Sequence, residues 1–543
     1  MAGNAGTGNS GTGNSTGSGG ADTSGSGGAV VVSDNPLLPA RIRRLTNAEY
    51  DASVQALLGT TKTLAKTSFP RDARQSNFTV NDAQRVDPVL AKQLCDTAVT
   101  LVADARSAGK FATLAPCSNA TSGGEACAKT FLQSFGTKAY RRTLTADETA
   151  SLLLVYHAGA DGATYNDGID ALTRAVLQSA GFIYVTEIGD GSAPVNGAIG
   201  LTASETANAL SFLATSAPPD DALLAAAATL NVPATREQHM RRLLATAAGK
   251  TGVVRVIREW MGIDGIDQTA KDSNVYGTFE GLKPSITAES TNFVDEVVNR
   301  STGTVSELLS ADWTIADANL AKMYGVTSAG TGKTSLTSVG RKGILNQAAF
   351  LSVFAHASES APVLRGVSVM KRVACLPIIS PLTLNIMVTP PVPDPAKTTR
   401  ERYAIHSTDA KCAACHNNID AFGFSFEGYD GMGMARPVVN GKLTENGRPT
   451  DASVTIPAGV DFAGPYADSN ALATAMANSA DVRNCMARQM FRSSAARSDG
   501  SVQGAEDAFV TYWKTLPADK QGNFLETVVA YVKNPTFIQR RVQ

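Results

Sequence analysis

Apolar residues recur at spacings of three and four positions over much of the chain, which is the period of one face of an α-helix. The pattern is clearest in three segments, Ile169 to Ile183, Ala207 to Leu213 and Val253 to Met261. Two segments that begin at Cys485 and Phe524 follow the same period. The pattern therefore predicts a mainly α-helical protein.

The same local signal marks three helix starts. Thr46, Thr145 and Thr202 are each preceded by a leucine and followed three positions later by a glutamate. The hydroxyl and carboxylate of such a pair bind backbone N–H groups that the first helical turn leaves free. Gly59 predicts the end of the first of these helices. No fixed period separates the three starts, so they do not indicate a solenoid repeat.

Two stretches interrupt the helical pattern. Residues 1–36 are almost wholly Gly, Ser, Thr, Asn and Ala, which predicts a flexible tether because such a segment buries little apolar surface. A proline-rich strap from Pro377 to Pro395 cannot form a regular helix. We expect six segments: the tether at 1–36, an amino-terminal helical module at 37–105, a second helical module at 106–165, a central helical module at 166–330, a module with the strap at 331–455, and a carboxyl-terminal helical module at 456–543.

Charge and composition exclude some classes of partner. The chain has 48 Lys and Arg residues against 49 Asp and Glu among 543 residues, and 43% of its residues are hydrophobic. A balance this even argues against nucleic acid or an anionic membrane surface as the partner of the whole chain. No run of about eighteen apolar residues occurs, so we expect no transmembrane helix.

One short motif carries recognisable chemistry, Cys412-Ala-Ala-Cys415-His416. In c-type cytochromes the two thiols of C-x-x-C-H add to the haem vinyl groups, and the histidine presents a ring nitrogen to iron. A zinc site is an alternative, and it needs two further ligands such as Cys375 and His406. A redox-active dithiol is a second alternative, although the neighbouring sequence lacks the expected βαβ pattern.

Four aromatic residues follow the motif closely. Phe422, Phe424, Phe426 and Tyr429 lie within fifteen positions of the motif histidine. Apolar rings suit the wall of a porphyrin site, and ordinary core packing explains them equally well. Both interpretations hold together if the haem is itself part of a core.

The motif region also resembles a known family. The run from His406 through Asp420, Gly423 and Asp430 to Arg436 is similar to the haem module of the planctomycete-type cytochrome c-domain proteins. Those proteins join several helical modules of unknown function and are common in planctomycetes and myxobacteria. The resemblance extends over nearly everything after residue 36, including the segments 139–145, 177–184 and 311–325. It implies an exported protein with one covalent haem c held by Cys412, Cys415 and His416, and it implies no known substrate.

The second axial ligand of the iron has three main candidates. The resemblance includes His406, which places this residue first. Met432 and Met434 follow the motif by 16 and 18 positions from His416 and offer thioether ligands instead. An unoccupied position would favour chemistry at the iron, whereas two protein ligands favour electron transfer.

The cysteines outside the motif indicate the compartment. Cys117 and Cys127 flank a Ser/Thr/Gly-rich turn, and we expect a disulfide between them. Cys375 and Cys485 are a second expected pair, which leaves Cys95 alone. Disulfides and covalent haem attachment both point outside the cytoplasm, to the periplasm or outer cell surface. No signal segment is visible, and a lipid anchor on the unprocessed form would suit the tether.

The sequence therefore predicts an exported monohaem c-type cytochrome-like protein that transfers electrons to or from a redox partner protein or a small molecule. One alternative is a haem-dependent oxidoreductase of peroxidase or oxygenase type that acts on an extracellular substrate. Another is a binding or scaffold protein with a structural haem or zinc site. Asp317, Asn319 and Tyr324 are polar enough to line a pocket in the central module, but helix caps and helix surface explain them as well.

Overall fold

A computed structural model describes residues 34–117, 124–378, 391–408, 410–497 and 500–542. Most of the predicted tether and the centre of the predicted strap, residues 379–390, lie outside these ranges. Within them the chain is mainly helical, as predicted, and its strands form only small sheets. None of the described helices is both long and apolar enough to cross a bilayer.

The first third of the chain forms nine α-helices and one π-helix, Leu132–Gly136, among its described residues. Both predicted capping boxes in this third are present, at Thr46 with Glu49 and at Thr145 with Glu148, and Gly59 ends the first helix with a positive φ of 64°. The helices are α1 (Asn47–Leu58), α2 (Leu64–Ser68), α3 (Pro88–Ser107), α4 (Phe111–Leu114), α5 (Gly124–Phe131), α6 (Thr137–Tyr140), α7 (Ala146–Ala160), α8 (Tyr165–Gln178) and α9 (Ala180–Ile183).

The middle of the chain is also helical. The third predicted capping box, Thr202 with Glu205, begins α10. The helices are α10 (Ala203–Thr215), α11 (Asp221–Ala225), α12 (Pro233–Leu244), α13 (Ala247–Met261), α14 (Phe279–Arg300), α15 (Val305–Ser310), α16 (Ala318–Tyr324), α17 (Ala348–Val353) and α18 (Pro362–Arg372).

The last third carries the motif. Its helices are α19 (Thr399–Tyr403), α20 (Ile405–Thr408), α21 (Ala410–Phe424), α22 (Ser469–Ala477), α23 (Ala480–Ala495), α24 (Gln503–Trp513) and α25 (Phe524–Lys533). The motif lies on α21.

Short antiparallel strands join distant parts of the chain. The strands are β1 (Arg41–Arg44), β2 (Tyr184–Glu187), β3 (Ala198–Gly200), β4 (Trp313–Thr314), β5 (Thr334–Ser335), β6 (Val438–Val439), β7 (Lys442–Glu445), β8 (Arg448–Pro449), β9 (Val454–Ile456), β10 (Gly464–Tyr466) and β11 (Gln539–Arg541). β1 pairs with β2, β11 with β3, β4 with β5 and β9 with β10, while β6, β7 and β8 form one three-stranded sheet. The pairing of β11 with β3 brings the last described strand back to the middle of the chain.

The apolar side chains form two large cores. An amino-terminal core is built from residues between Tyr50 and Ile183. A main core takes residues from Ala207 to Phe537, together with Leu38 and Phe78, and it includes Ile419 and Phe422 of the motif helix. The motif region therefore shares its core with the central and carboxyl-terminal regions.

Buried arginines connect segments of the main core by binding backbone carbonyl groups. Arg236, which is fully buried, donates to Val532 O at 2.6 Å and to Leu230 O at 2.9 Å. Arg372 donates to Trp260 O at 2.7 Å and accepts the Trp260 indole N–H on its own carbonyl at 2.6 Å. A guanidinium group satisfies several carbonyls at once, so these arginines fix one segment against another.

Candidate functional site

The motif residues lie on one continuous helix. Cys412, Cys415 and His416 are three and four positions apart on α21, so their side chains project from neighbouring points of the helix surface. Both thiols are free and half-buried. The helix thus presents two thiols and an imidazole together, which is the donor set that covalent haem attachment requires.

A close helix crossing holds α21 in place. A Cβ atom added at Gly423 would collide with the carbonyl oxygen of Pro362, and one added at Gly366 would collide with that of Ile419. The backbones of α18 and α21 therefore touch at these two glycines. This contact fixes the carboxyl-terminal half of the motif helix to α18.

Asp420 anchors the motif histidine. Its Oδ1 lies 2.9 Å from Nδ1 of His416, one helical turn earlier, and both side chains are largely buried, with 11% and 17% exposed. With Nδ1 bonded to the carboxylate, Nε2 is the nitrogen that a metal ion can bind. The spacing of four positions between His416 and Asp420 is visible in the sequence and is the signal that identifies this carboxylate.

The same carboxylate also binds His406. Nδ1 of His406 lies 3.1 Å from the second oxygen of Asp420, and the centres of the His406 and His416 rings are 3.7 Å apart. The pKa of His406 is lowered, and burial is the main cause. The sequence could not show this arrangement, because it depends on how α20 packs against α21.

The three predicted second ligands lie in different surroundings. Two imidazoles that bind one iron from opposite sides have ring centres roughly 6 Å apart. The ring centres of His406 and His416 are 3.7 Å apart, which is too short for that arrangement. Met432 is buried in the main core, and its Sδ lies 4.0 Å from Thr278 Oγ1. Met434 is 40% exposed. The identity of the second ligand stays a prediction.

The aromatic residues after the motif divide between core and cleft. Phe426 and Tyr429 are buried in the main core, and Phe424 packs against the Arg400 guanidinium at 4.8 Å. Phe422 lines a mostly apolar cleft of ≈ 200 Å³ beside α21. Its other lining residues include Met370, Leu376, Asn418, Ile456 and Val460. An apolar wall on the motif helix suits one part of a flat macrocycle.

A buried ionic cluster supports the loop after the motif helix. Arg365 is fully buried and donates to the carbonyl groups of Phe426, Tyr429 and Asp430, while burial lowers its pKa to about 10. Glu427, also fully buried, accepts hydrogen bonds from Ser360 and Arg436, and burial raises its pKa. The cluster fixes residues 426–436 against α18.

Lys271 joins the central region to this cluster. Its Nζ donates to Ala355 O at 3.2 Å and to His356 O at 2.8 Å. Burial lowers its pKa to about 7, with a further contribution from Arg365. Sequence periodicity gave no signal for this lysine, because it lies in an irregular segment.

The other cysteines are paired as expected. Cys117 forms a disulfide with Cys127, and Cys375 forms one with Cys485. Cys95 is free and exposed. The pairing of Cys375 removes it from the zinc ligand set suggested by the sequence, because a disulfide sulfur is not a thiolate ligand. That version of the zinc alternative is therefore wrong.

Comparisons with known proteins identify four regions of the chain. Family models match residues 43–107 (PSD3, a protein of unknown function, DUF1587), 127–187 (PSD5, DUF1595), 201–326 (PSD4, DUF1592) and 341–438 (PSCyt3, DUF1588). No curated protein and no solved structure matches the chain. The match to PSCyt3 includes the motif, the Gly366–Gly423 crossing and the Asp420 anchor. The chain therefore carries four domains of unknown function, PSD3, PSD5, PSD4 and PSCyt3, in this order along the sequence.

Proposed function

We propose that this protein is an exported monohaem c-type cytochrome-like protein that transfers electrons. Cys412 and Cys415 would hold the haem covalently, and His416 would offer an imidazole nitrogen to its iron. One observation carries the proposal: both motif thiols are free, while Asp420 binds the far nitrogen of the adjoining His416. The name of the matching domain, PSCyt3, supports the same class of protein.

The residues around the motif have separate tasks. A haem supplies a reversible one-electron couple when it is bound. Asp420 holds the imidazole of His416 in one tautomer and one orientation and makes its free nitrogen a stronger donor. Phe422 and the apolar cleft offer a hydrophobic surface on the Asn418–Phe422 part of α21. His406, Met432 and Met434 remain the candidates for a second ligand; the resemblance favours His406, and the 3.7 Å between the His406 and His416 ring centres counts against it.

The expected location follows from the cysteine chemistry. Disulfides such as Cys117–Cys127 and Cys375–Cys485 persist in oxidising compartments, where c-type haem is also attached. We therefore place the protein in the periplasm or on the outer cell surface. Its electrons would come from, or pass to, a redox partner protein or a small molecule at that location.

The test is production in a periplasm with the haem-attachment machinery, followed by visible spectra and intact mass after denaturation. We expect a Soret band, a sharp reduced α-band and an added mass of about 616 Da. Replacing both Cys412 and Cys415 with serine should remove the added mass. The matched control, Cys95→Ser, removes an exposed free thiol and should retain it. An unmodified wild-type mass under these conditions contradicts the proposal.

The spectra also separate electron transfer from catalysis at the iron. A low-spin haem that binds neither carbon monoxide nor cyanide supports electron transfer. A high-spin haem that binds either molecule would instead support the haem-dependent oxidoreductase.

A mononuclear metal ion is a second candidate, favoured by one cluster. Ligand atoms of His406, His416 and Asp420 all lie within 4.8 Å of one another. Two imidazoles and a carboxylate suit Zn²⁺ or Fe²⁺. His406→Ala separates the candidates, since covalent attachment through the cysteines does not depend on His406. Loss of a stoichiometric metal from His406→Ala, measured by plasma mass spectrometry on protein without haem, would support the ion.

A further inference from the structure

A small cavity lies where four parts of the chain meet, far along the sequence from the motif. Its volume is ≈ 40 Å³. Its walls come from β1 and β2, from α10 and α13, and from α23, α25 and β11. The cavity therefore borders the amino-terminal region, the central region and the carboxyl-terminal region at once.

Four arginines line this cavity, and their charges are not all balanced. Arg43 is paired with Glu49 through two hydrogen bonds of 2.7 and 2.9 Å. Arg255 is paired with Glu259 at 3.1 Å. Those two pairs are neutral.

Arg41 and Arg540 share a single carboxylate. Glu187 accepts from Arg41 Nη2 at 2.7 Å and from Arg540 Nε at 2.6 Å, and it is only 3% exposed. Two guanidinium charges on one carboxylate leave a formal surplus of one positive charge in a buried place. A surplus charge in a low-dielectric site is costly unless a counter-charge is present.

A fifth arginine, which does not line the cavity itself, adds to the surplus. Arg141 is 5% exposed, and its guanidinium lies 5.6 Å from the centre of the Phe212 ring, which also lines the cavity. Its hydrogen bonds run to backbone carbonyl groups of Ala139, Gly181, Phe182 and Tyr184. The region around the cavity is therefore rich in positive charge on more than one side.

Arg41 also has unused hydrogen-bond donors. The residue is 9% exposed, and its Nε and Nη1 are buried without a partner among the described residues. A buried N–H group without a protein partner is one that a bound water or ion can satisfy. Water would satisfy the donors, but only an anion would also balance the charge.

We propose that this cavity binds a small inorganic anion of the size of chloride. A halide takes up about as much space as one water molecule, roughly 30 Å³, so the cavity accepts it and excludes a nucleotide or lipid headgroup. The other lining residues include the apolar Phe212, Leu213, Val185 and Phe537, which suit a weakly hydrated ion, and the hydroxyl-bearing Ser493, Ser494 and Tyr531. The anion acts as a structural counter-charge that holds β1, β2 and β11 together.

The experiment measures chloride binding to the full chain by ³⁵Cl NMR line broadening, at constant ionic strength with gluconate as the balancing anion. Thermal unfolding is recorded in the same series. We expect saturable broadening and a melting temperature that rises with chloride. A wild-type protein with neither effect overturns the proposal.

Two substitutions predict opposite changes. Arg41→Gln removes the surplus charge and the free donors, and should weaken chloride binding by at least about tenfold. Glu187→Gln increases the surplus and should tighten binding. Arg241→Gln is the matched control, because Arg241 forms an exposed pair with Glu526, and it should leave chloride binding unchanged.

A third substitution keeps the test informative if one of the variants does not fold. If Glu187→Gln does not fold, Arg41→Lys replaces it, since this change keeps the charge and loses the planar donors. Binding by Arg41→Lys that is intermediate between wild type and Arg41→Gln supports the proposal. If the Arg41→Gln variant binds chloride as tightly as the wild-type protein does, the proposal is overturned.

Discussion

The two hydrophobic cores are assembled in different ways. The amino-terminal core takes its side chains from one continuous part of the chain, between Tyr50 and Ile183. The main core joins segments from Ala207 to Phe537 and takes in the motif helix α21. The domain with the motif therefore has no separate hydrophobic core of its own, because its helix α21 packs into the main core. A change in the central or carboxyl-terminal region should reach the motif, whereas a change in the amino-terminal core should not.

The two disulfides give the largest expected difference between the cores. Cys375–Cys485 closes a loop with a separation of 110 residues in the main region, and Cys117–Cys127 closes one of 10 in the amino-terminal region. In the chain-entropy description these loops are worth about 4.8 and about 2.7 kcal/mol. Urea unfolding of the two double serine variants should show the larger loss for Cys375 and Cys485. Equal losses would mean that the long loop is already restricted in the unfolded chain.

Replacing Arg365 with methionine tests the buried cluster of the main core. The change leaves the carbonyl groups of Phe426, Tyr429 and Asp430 without this donor and Glu427 with one fewer positive neighbour. We expect a loss of about 3–5 kcal/mol in the free energy of unfolding. Hydrogen exchange followed by mass spectrometry should show lost protection at 426–436 and unchanged protection in α3 and α8.

Arg241→Met is the control for that experiment. Arg241 forms partly exposed pairs with Glu237 and Glu526, and such pairs contribute at most about 1 kcal/mol. Equal effects of the two arginine substitutions would contradict a special role for Arg365.

Glu289 should make the stability of the main core depend on pH. It is fully buried, accepts from Thr314 and Tyr324 at 2.7 Å, and burial raises its pKa from 4.5 to about 7. Between these values the folded protein binds a proton that the unfolded chain releases. The contribution of this group to stability is therefore present below pH 4.5 and lost as the pH rises to about 7, by up to about 3 kcal/mol.

Glu289→Gln removes that titration. Urea unfolding at several pH values should show a smaller decline between pH 4.5 and 7 in this variant than in the wild type. Parallel curves for the two proteins would show that the carboxyl group is already ionised in the folded state at low pH.

The crossing of α18 and α21 predicts the smallest of these effects. Alanine at Gly423 would place a methyl group against the Pro362 carbonyl, and such overpacking costs about 1–3 kcal/mol. Alanine at Gly428, where no atom lies within 4 Å of an added Cβ, should change stability by less than about 0.5 kcal/mol. The difference in melting temperature between the two variants measures how tightly the motif helix is held.

Local signals in the sequence predicted local structure well. Each threonine with a glutamate three positions later does begin a helix, because both groups of a capping box lie within one turn. The sequence leaves Asp317 and Tyr324 open between pocket residues and helix caps or surface; Asp317 caps α16 and also lines a surface pocket, and the Tyr324 hydroxyl is buried against Glu289. Both disulfide pairs were expected from the cysteine pattern.

Contacts between distant segments could not be predicted in the same way. His406 meets Asp420 only because α20 folds back on α21, and periodicity within a helix carries no information about that turn. The carbonyl groups bound by Arg236 and Arg365 belong to backbone, which has no side-chain signature in a sequence. The sequence therefore carries no signal that distinguishes these buried arginines from exposed ones.

The pairing of β11 with β3, together with the bridge between Pro39 and Arg541, has a kinetic consequence. Contacts between residues so far apart in the chain form slowly, because a long loop must close before they contribute. The amino-terminal core can assemble from its own continuous segment while later residues are still being synthesised. The segment before α1 must wait for the last described strand, so we expect a fast folding phase for the first region and a slow final phase for closure.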